Sequence, residues 1–234
     1  MLQQKIDSEN NFHSVQEDLR RFPPVWNSVN DKITEYLKFL GKLGCSGECD
    51  DFRSWLSASG IYVDDMKHLK EHLENLVLQG TFERSGEAKT VYRYKDVCFP
   101  SEIEYSLSSH FETAPISFVR SRIDSYLSFN NCSDELKTDI LIGVVEAVEN
   151  AVKYNGSDHF YVHYWTESEN LFNLEICNQV PAVSIEDDIQ SGKFTGAKTL
   201  MRGVLIMEST FDFFDLDLSP DGKIAVMKAN KKFR

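Results

Sequence analysis

Leu141-Ile-Gly-Val-Val-Glu-Ala-Val-Glu-Asn-Ala-Val-Lys-Tyr154 is the stretch on which the reading of this chain turns. At 100° per residue, Leu136, Ile140, Leu141, Val144, Val145, Val148 and Val152 gather on one side, the spacing of a two-faced helix. Glu146, Asn150 and Lys153 fall on the other side, at i, i+4 and i+7. A carboxylate and a carboxamide one turn apart are placed to hold a divalent metal and the water around it. The same pattern also describes an ordinary solvated helix face.

Working outward, the run Glu146-Ala-Val-Glu-Asn150-Ala-Val-Lys153-Tyr resembles the first nucleotide-binding box of the GHKL ATPase/kinase superfamily, in particular its anti-sigma-factor serine kinases. The resemblance extends over about Glu102 to Lys231. Pro115-Ile-Ser-Phe-Val-Arg-Ser-Arg-Ile-Asp-Ser-Tyr-Leu127 stands where that family has its first helix. Strand-like runs follow at Phe160–Thr166 and Leu171–Cys177, then a lid-like, glycine-containing stretch from Ser191 to Gly203. A short helix (Val204–Ser209) opened by Gly203 and two more strands (Phe211–Leu218, Lys223–Asn230) complete the order.

Several boxes depart from the family pattern. Asn178 takes the place of the adenine-binding Asp, and Val180-Pro181 stand where that family has glycines. The carbonyl of Asn178 can still accept from an amine. The third box is reduced to Met201-Arg202-Gly203-Val204, and the final Gly-Thr to Asp221-Gly222-Lys223. What the resemblance implies is a site for ATP and Mg²⁺. Glu146 is its general base on a protein serine and Asn150 its Mg²⁺ ligand. Lys153 contacts phosphate, Asn178 touches adenine, and Arg202, Gly203 and Gly222 lie about the nucleotide. The implied partner is an anti-anti-sigma-like substrate or a sigma factor, and a homodimer is common in that family.

The front of the chain reads differently. Pro23-Pro24 interrupts a weakly periodic arm over residues 1–27, with a helix expected at Ser14–Arg21. Helices are expected around Ile33–Leu43, over Asp51–Ala58, and from an Asp64 cap to Gly80. Thr81–Arg84 and Thr90–Arg93 read as strands around Ser85-Gly86-Glu87. Phe52 to Arg93 resembles winged helix-turn-helix regulators, with Gly60 at the turn. Its third helix, however, mixes Asp64, Asp65, Glu71 and Glu74 with Lys67 and Lys70, which disfavours DNA as the partner. Residues 28–96 are therefore expected to form a winged-helix-like domain. Residues 97–234 are expected to form a GHKL domain, joined by Lys95–Ser101. The expected fold class is α+β, and the resemblance implies a Bergerat-type α/β sandwich, its mixed or antiparallel sheet covered by helices on one face.

Composition narrows the function. The net charge of -12, from 37 acidic and 25 basic residues, argues against a nucleic-acid footprint over the whole surface. Apolar runs are short and no charged-then-hydrophobic leader is visible, so a cytoplasmic protein without a membrane span is expected. An odd count of 5 cysteines suits reduced thiols. Cys45 and Cys49 lack a second pair at zinc spacing, and His68 and His72 lack a third ligand, so both read as non-metal. Trp26, Trp55 and Trp165 read as packing residues. Asp212, Asp215 and Asp217 read as members of an alternating strand. Lys228 to Arg234 reads as a solvated end. Three functions stay open: a serine protein kinase or ATP-binding regulator of partner switching, a catalytically degenerate interaction module, and a DNA-binding regulator with a nucleotide-sensing domain.

Overall fold

Capping and apolar spacing set the front of the chain. Ile33, Tyr36, Leu37 and Leu40 share the buried face of helix α1 (Val29–Lys42). The chain then turns at Gly44, whose φ of +87° suits a residue without a side chain. Helix α2 (Cys49–Ala58) buries Phe52, Trp55 and Leu56. Asp65, not Asp64, caps helix α3 (Met66–Leu78), its carboxylate accepting from the Lys67 amide at 2.8 Å. His72 of α3 is half-buried, with Nδ1 2.9 Å from Thr34 Oγ1 of α1. An antiparallel hairpin follows, β1 (Phe82–Ser85) against β2 (Val91–Tyr94). A computed structural model of the chain describes residues 29–58, 61–86, 89–108, 114–167, 170–180 and 195–233. The arm 1–27 with its expected Ser14–Arg21 helix and Trp26, Gly60, Glu87, Pro181, residues 191–194 of the lid-like stretch and Arg234 lie outside them.

The back half comprises β3 (Glu102–Ser108), helices α4 (Ala114–Phe129) and α5 (Asp134–Lys153), β4 (His159–Glu167), β5 (Leu171–Gln179), helix α6 (Thr195–Thr210), β6 (Phe213–Leu218) and β7 (Ile224–Lys232). The chain is thus α+β. Its main sheet is antiparallel throughout, in the order β3-β4-β5-β7-β6. Register aligns Tyr105, Val162, Ile176, Met227 and Leu216 in one cross-strand row. The next row runs Glu104, His163, Glu175, Lys228 and Asp215. A strand's period of two turns these rows to opposite faces. The apolar face joins the core formed with α4, α5 and α6, through Phe118, Ile123, Val144, Val148 and Met207.

On the polar face His163 lies with Nε2 2.7 Å from Glu102 Oε1 and Nδ1 3.6 Å from Glu175 Oε2. Its ring stacks on Trp165, centroids 4.4 Å apart. Burial works against its protonation. The bonds to Glu175 and Glu102 outweigh that and hold the imidazole above its ordinary pKa. At the outer edge, β6 exposes Phe213, Leu216 and Leu218, with Asp215 and Asp217 between them.

Two elements depart from the sequence reading. The Ile103, Tyr105, Leu107 alternation of β3 was assigned to no strand. Helix α6 begins at Thr195, so Gly203 sits inside the helix and does not open it. Ala197, Lys198, Leu200, Met201 and Arg202 are good helix formers, and they carry the helix back into the stretch read as a lid.

The front section is clasped to α4. The Ser46 amide donates to Ser121 Oγ at 2.6 Å, and that hydroxyl donates back to the Ser46 carbonyl. The Ser46 and Ser125 hydroxyls lie 3.0 Å apart, and Trp55 Nε1 donates to Ser117 Oγ at 3.0 Å. One cluster of buried side chains continues through both sections. No described helix is long and apolar enough to cross a membrane.

Candidate functional site

The site is built on α5. Ser133 caps this helix, Asp134 and Glu135 occupy its first turn and Lys153 its last, each suited to the helix dipole. Ile140, Leu141, Val144, Ala147, Val148 and Ala151 are buried in the core. Helical geometry therefore sends Glu146, Asn150 and Lys153 to the other stripe. Glu146 and Asn150 are nonetheless only half-exposed, because α6 lies across them.

Gly203 is the point of closest approach. A Cβ placed on it would stand 2.9 Å from Asn150 Nδ2 and 3.3 Å from Glu146 Oε2. Two segments more than fifty residues apart, each singled out from the sequence, thus meet side by side. The Asn150 amide nitrogen is buried and finds no acceptor among the described residues. Leaving such a donor dry costs about 1–3 kcal/mol, so a ligand acceptor here would be stabilising. Glu146 makes no hydrogen bond or ion pair among the described residues, and a carboxylate in this place could accept from a hydroxyl.

The remaining residues fall into two groups. Asn178 closes β5 beside the end of α5: its Nδ2 donates to the Tyr154 carbonyl at 3.2 Å and to its neighbour Gln179 at 3.1 Å. The amide is thereby fixed with its oxygen unspent among the described bonds. Across from it on β7 stands Ala225, which brings no hydroxyl. Lys153 is exposed, and its ammonium lies 5.1 Å from the centre of the Tyr154 ring. Gly222 is not gathered with Glu146 and Asn150. It forms the β6–β7 turn at φ +69°, its amide donating to the Ser219 carbonyl at 2.8 Å. The next residue, Lys223, accepts from the Val180 amide at 2.8 Å, so this turn borders the end of β5. Arg202 belongs to α6, but its side chain lies outside the described ones.

Asn155 was not anticipated. Its Nδ2 is a second buried donor without a described acceptor, while its Oδ1 accepts from Ser157. The Asn-Gly pair reads locally as a turn, which hides this polar atom at the end of α5.

These residues fit a nucleotide with its metal only in part. Among the described residues no three His, Cys, Asp or Glu side chains converge to hold a metal ion. A Mg²⁺ ion, however, takes one or two protein oxygens and completes its shell with phosphates and water. Asn150 and Glu146 can supply such oxygens. The unspent Asn150 nitrogen is a donor that a polar ligand between α5 and α6 would meet, while Asn178 stands at the C-terminal end of α5. No family model matches this chain, and no curated protein matches it.

Proposed function

We propose that the chain is a GHKL-like, Mg-nucleotide-binding serine protein kinase that regulates a protein partner, in the manner of the anti-sigma-factor kinases it resembles. The observation that carries this reading is the meeting of Glu146 and Asn150 with Gly203, around a buried Asn150 amide without an acceptor. Further support comes from the antiparallel sheet with its helix-backed apolar face, which suits a Bergerat-type sandwich. The three helices and hairpin of residues 29–94 suit a winged-helix-like unit. Asn150 would hold the metal, which offsets charge in the transfer. Glu146 would take the proton of the partner's serine. Asn178 would accept from the base, and α6 would close over the phosphates and exclude water. The implied partner is an anti-anti-sigma-like protein or a sigma factor.

The test is calorimetry with ATP and ADP, with and without Mg²⁺, followed by transfer of labelled phosphate to candidate partners. Mg-dependent micromolar binding is expected. Glu146→Gln should retain it and lose transfer by at least about a hundred-fold. Equal transfer by wild type and Glu146→Gln would remove the catalytic assignment.

A second reading has its own observation. The Val180 amide is spent on Lys223, Pro181 follows it in the chain, and the final Gly-Thr is reduced to Gly222-Lys223. An adenine pocket needs backbone that can approach the ligand closely. Under this reading the same domain contacts a protein partner without nucleotide, and calorimetry gives no heat.

A further inference from the structure

A cavity of about 300 Å³ lies where α1 meets β3 and the connector before it, lined among others by Lys42, Leu43, Cys98, Phe99, Ile103 and Arg122. It shares no residue with the Glu146–Asn150–Gly203 site. Its volume suits a small organic molecule. Arg122, from α4, is only 7 % exposed. Its Nε donates to the Leu43 carbonyl at 3.0 Å, and its guanidinium lies 4.3 Å from the centre of the Tyr105 ring and 5.6 Å from that of Phe118.

A guanidinium stays charged at any physiological pH. Among the described residues Arg122 makes no ion pair with a carboxylate. The groups whose fields reach it most strongly are Tyr164, Tyr105 and Cys45. Burial pushes the Tyr164 hydroxyl and the Cys45 thiol up to about 12, so both stay neutral. Two aromatic faces and one carbonyl therefore stand in for a counter-charge. Burial works against the cation, yet its surroundings hold Arg122 in the charged form, its pKa above the ordinary value.

An anion entering the cavity would supply the missing charge. Lys42, exposed at the rim, adds a second cation. Leu43, Phe99 and Ile103 offer an apolar wall. Glu102 and Glu104 of β3 also line the cavity, Glu102 being bonded to His163 at 2.7 Å. Glu102 and Glu104 weaken the field of the two cations, and they repel a polyanion such as phosphate or a nucleotide more strongly than a single negative charge.

We infer that this cavity binds a small monocarboxylate with an apolar body, its carboxylate held by Arg122 with Lys42 at the rim.

The experiment uses the full chain with benzoate and hexanoate as probes, and benzamide and hexanamide as uncharged counterparts. Calorimetry and thermal melts should show the acids binding and raising Tm by several degrees near saturation, and the amides doing neither. Lys42→Gln should weaken acid binding about ten-fold. Arg122→Gln should abolish it. Because Arg122 is also packed in the core, a wild-type readout accompanies these variants. Cys98 is exposed whereas Cys45, Cys132 and Cys177 are buried. Benzoate should therefore slow alkylation of Cys98 by iodoacetamide at least about five-fold, read by peptide mass, at concentrations that benzamide leaves without effect. Equal responses to acid and amide would overturn the inference, as would acid binding that leaves Cys98 alkylation and the Lys42→Gln affinity unchanged.

Discussion

At the scale of single residues, Gly203 separates fold from function. It lies within α6 and outside the positive-φ region, so alanine fits its backbone and improves helix propensity by about 1 kcal/mol. The same methyl would crowd the Asn150 amide and the Glu146 carboxylate. Gly203→Ala should therefore keep or slightly raise Tm and weaken ATP at least about ten-fold by calorimetry. Unchanged affinity would detach α6 from the site. His163 gives a second residue-level prediction. Its pKa is raised on folding, so its contribution is full below the ordinary value of 6.5 and is lost as pH rises through the folded value. In urea titrations His163→Gln should cost about 1 kcal/mol at pH 6 and clearly less at pH 9. Glu102, Glu104 and Glu175, the carboxylates facing the ring, would be the partners freed. Of the site, the Glu146–Asn150 stripe was legible because helical spacing is periodic. Asn155 was not, because burial of one amide nitrogen depends on what packs over it.

At the scale of elements, the α5–α6 contact has a glycine on each side. Gly143 of α5 faces the Phe211 ring just past α6, and a Cβ there would run into that ring and come within 3.1 Å of Thr210. Unlike the side-chain ends around Gly203, a buried ring has little room to yield. Gly143→Ala should cost about 1–3 kcal/mol, seen as a lower urea midpoint with an unchanged m-value. The paired segments that were legible, α5, β4 and β5, have strong apolar periods and clear breakers. The strand β3 has an equally clear alternation, but it follows directly on the Lys95–Ser101 connector with its Pro100 and carries no turn signal that sets it off as an element. The start of α6 was misplaced because Gly196 and Gly203 read as loop signals, whereas tertiary contact overrides a glycine's cost.

At the scale of the whole molecule, front and back share one hydrophobic cluster and the Ser46 clasp. Unfolding should be a single transition. With Trp26 and Trp165 replaced by Phe, Trp55 fluorescence and far-ultraviolet circular dichroism should give the same urea midpoint. Separate midpoints would mean that the two sections fold independently. None of this junction was legible, because Ser46 lies 75 positions from Ser121 and 79 from Ser125, and the three carry no local pattern. The outer strand β6 has a consequence of another kind. Among the described residues no strand pairs with its outer side, so its backbone and its Phe213, Leu216 and Leu218 are a template for stacking copies edge to edge, and Asp215 and Asp217 are the gatekeepers that repel it. That protection weakens as the chain nears its isoelectric point of about 5.0, where net repulsion between copies vanishes. The colloidal history of a preparation, its buffer and its salt, thereby becomes part of what any binding experiment on this protein reports.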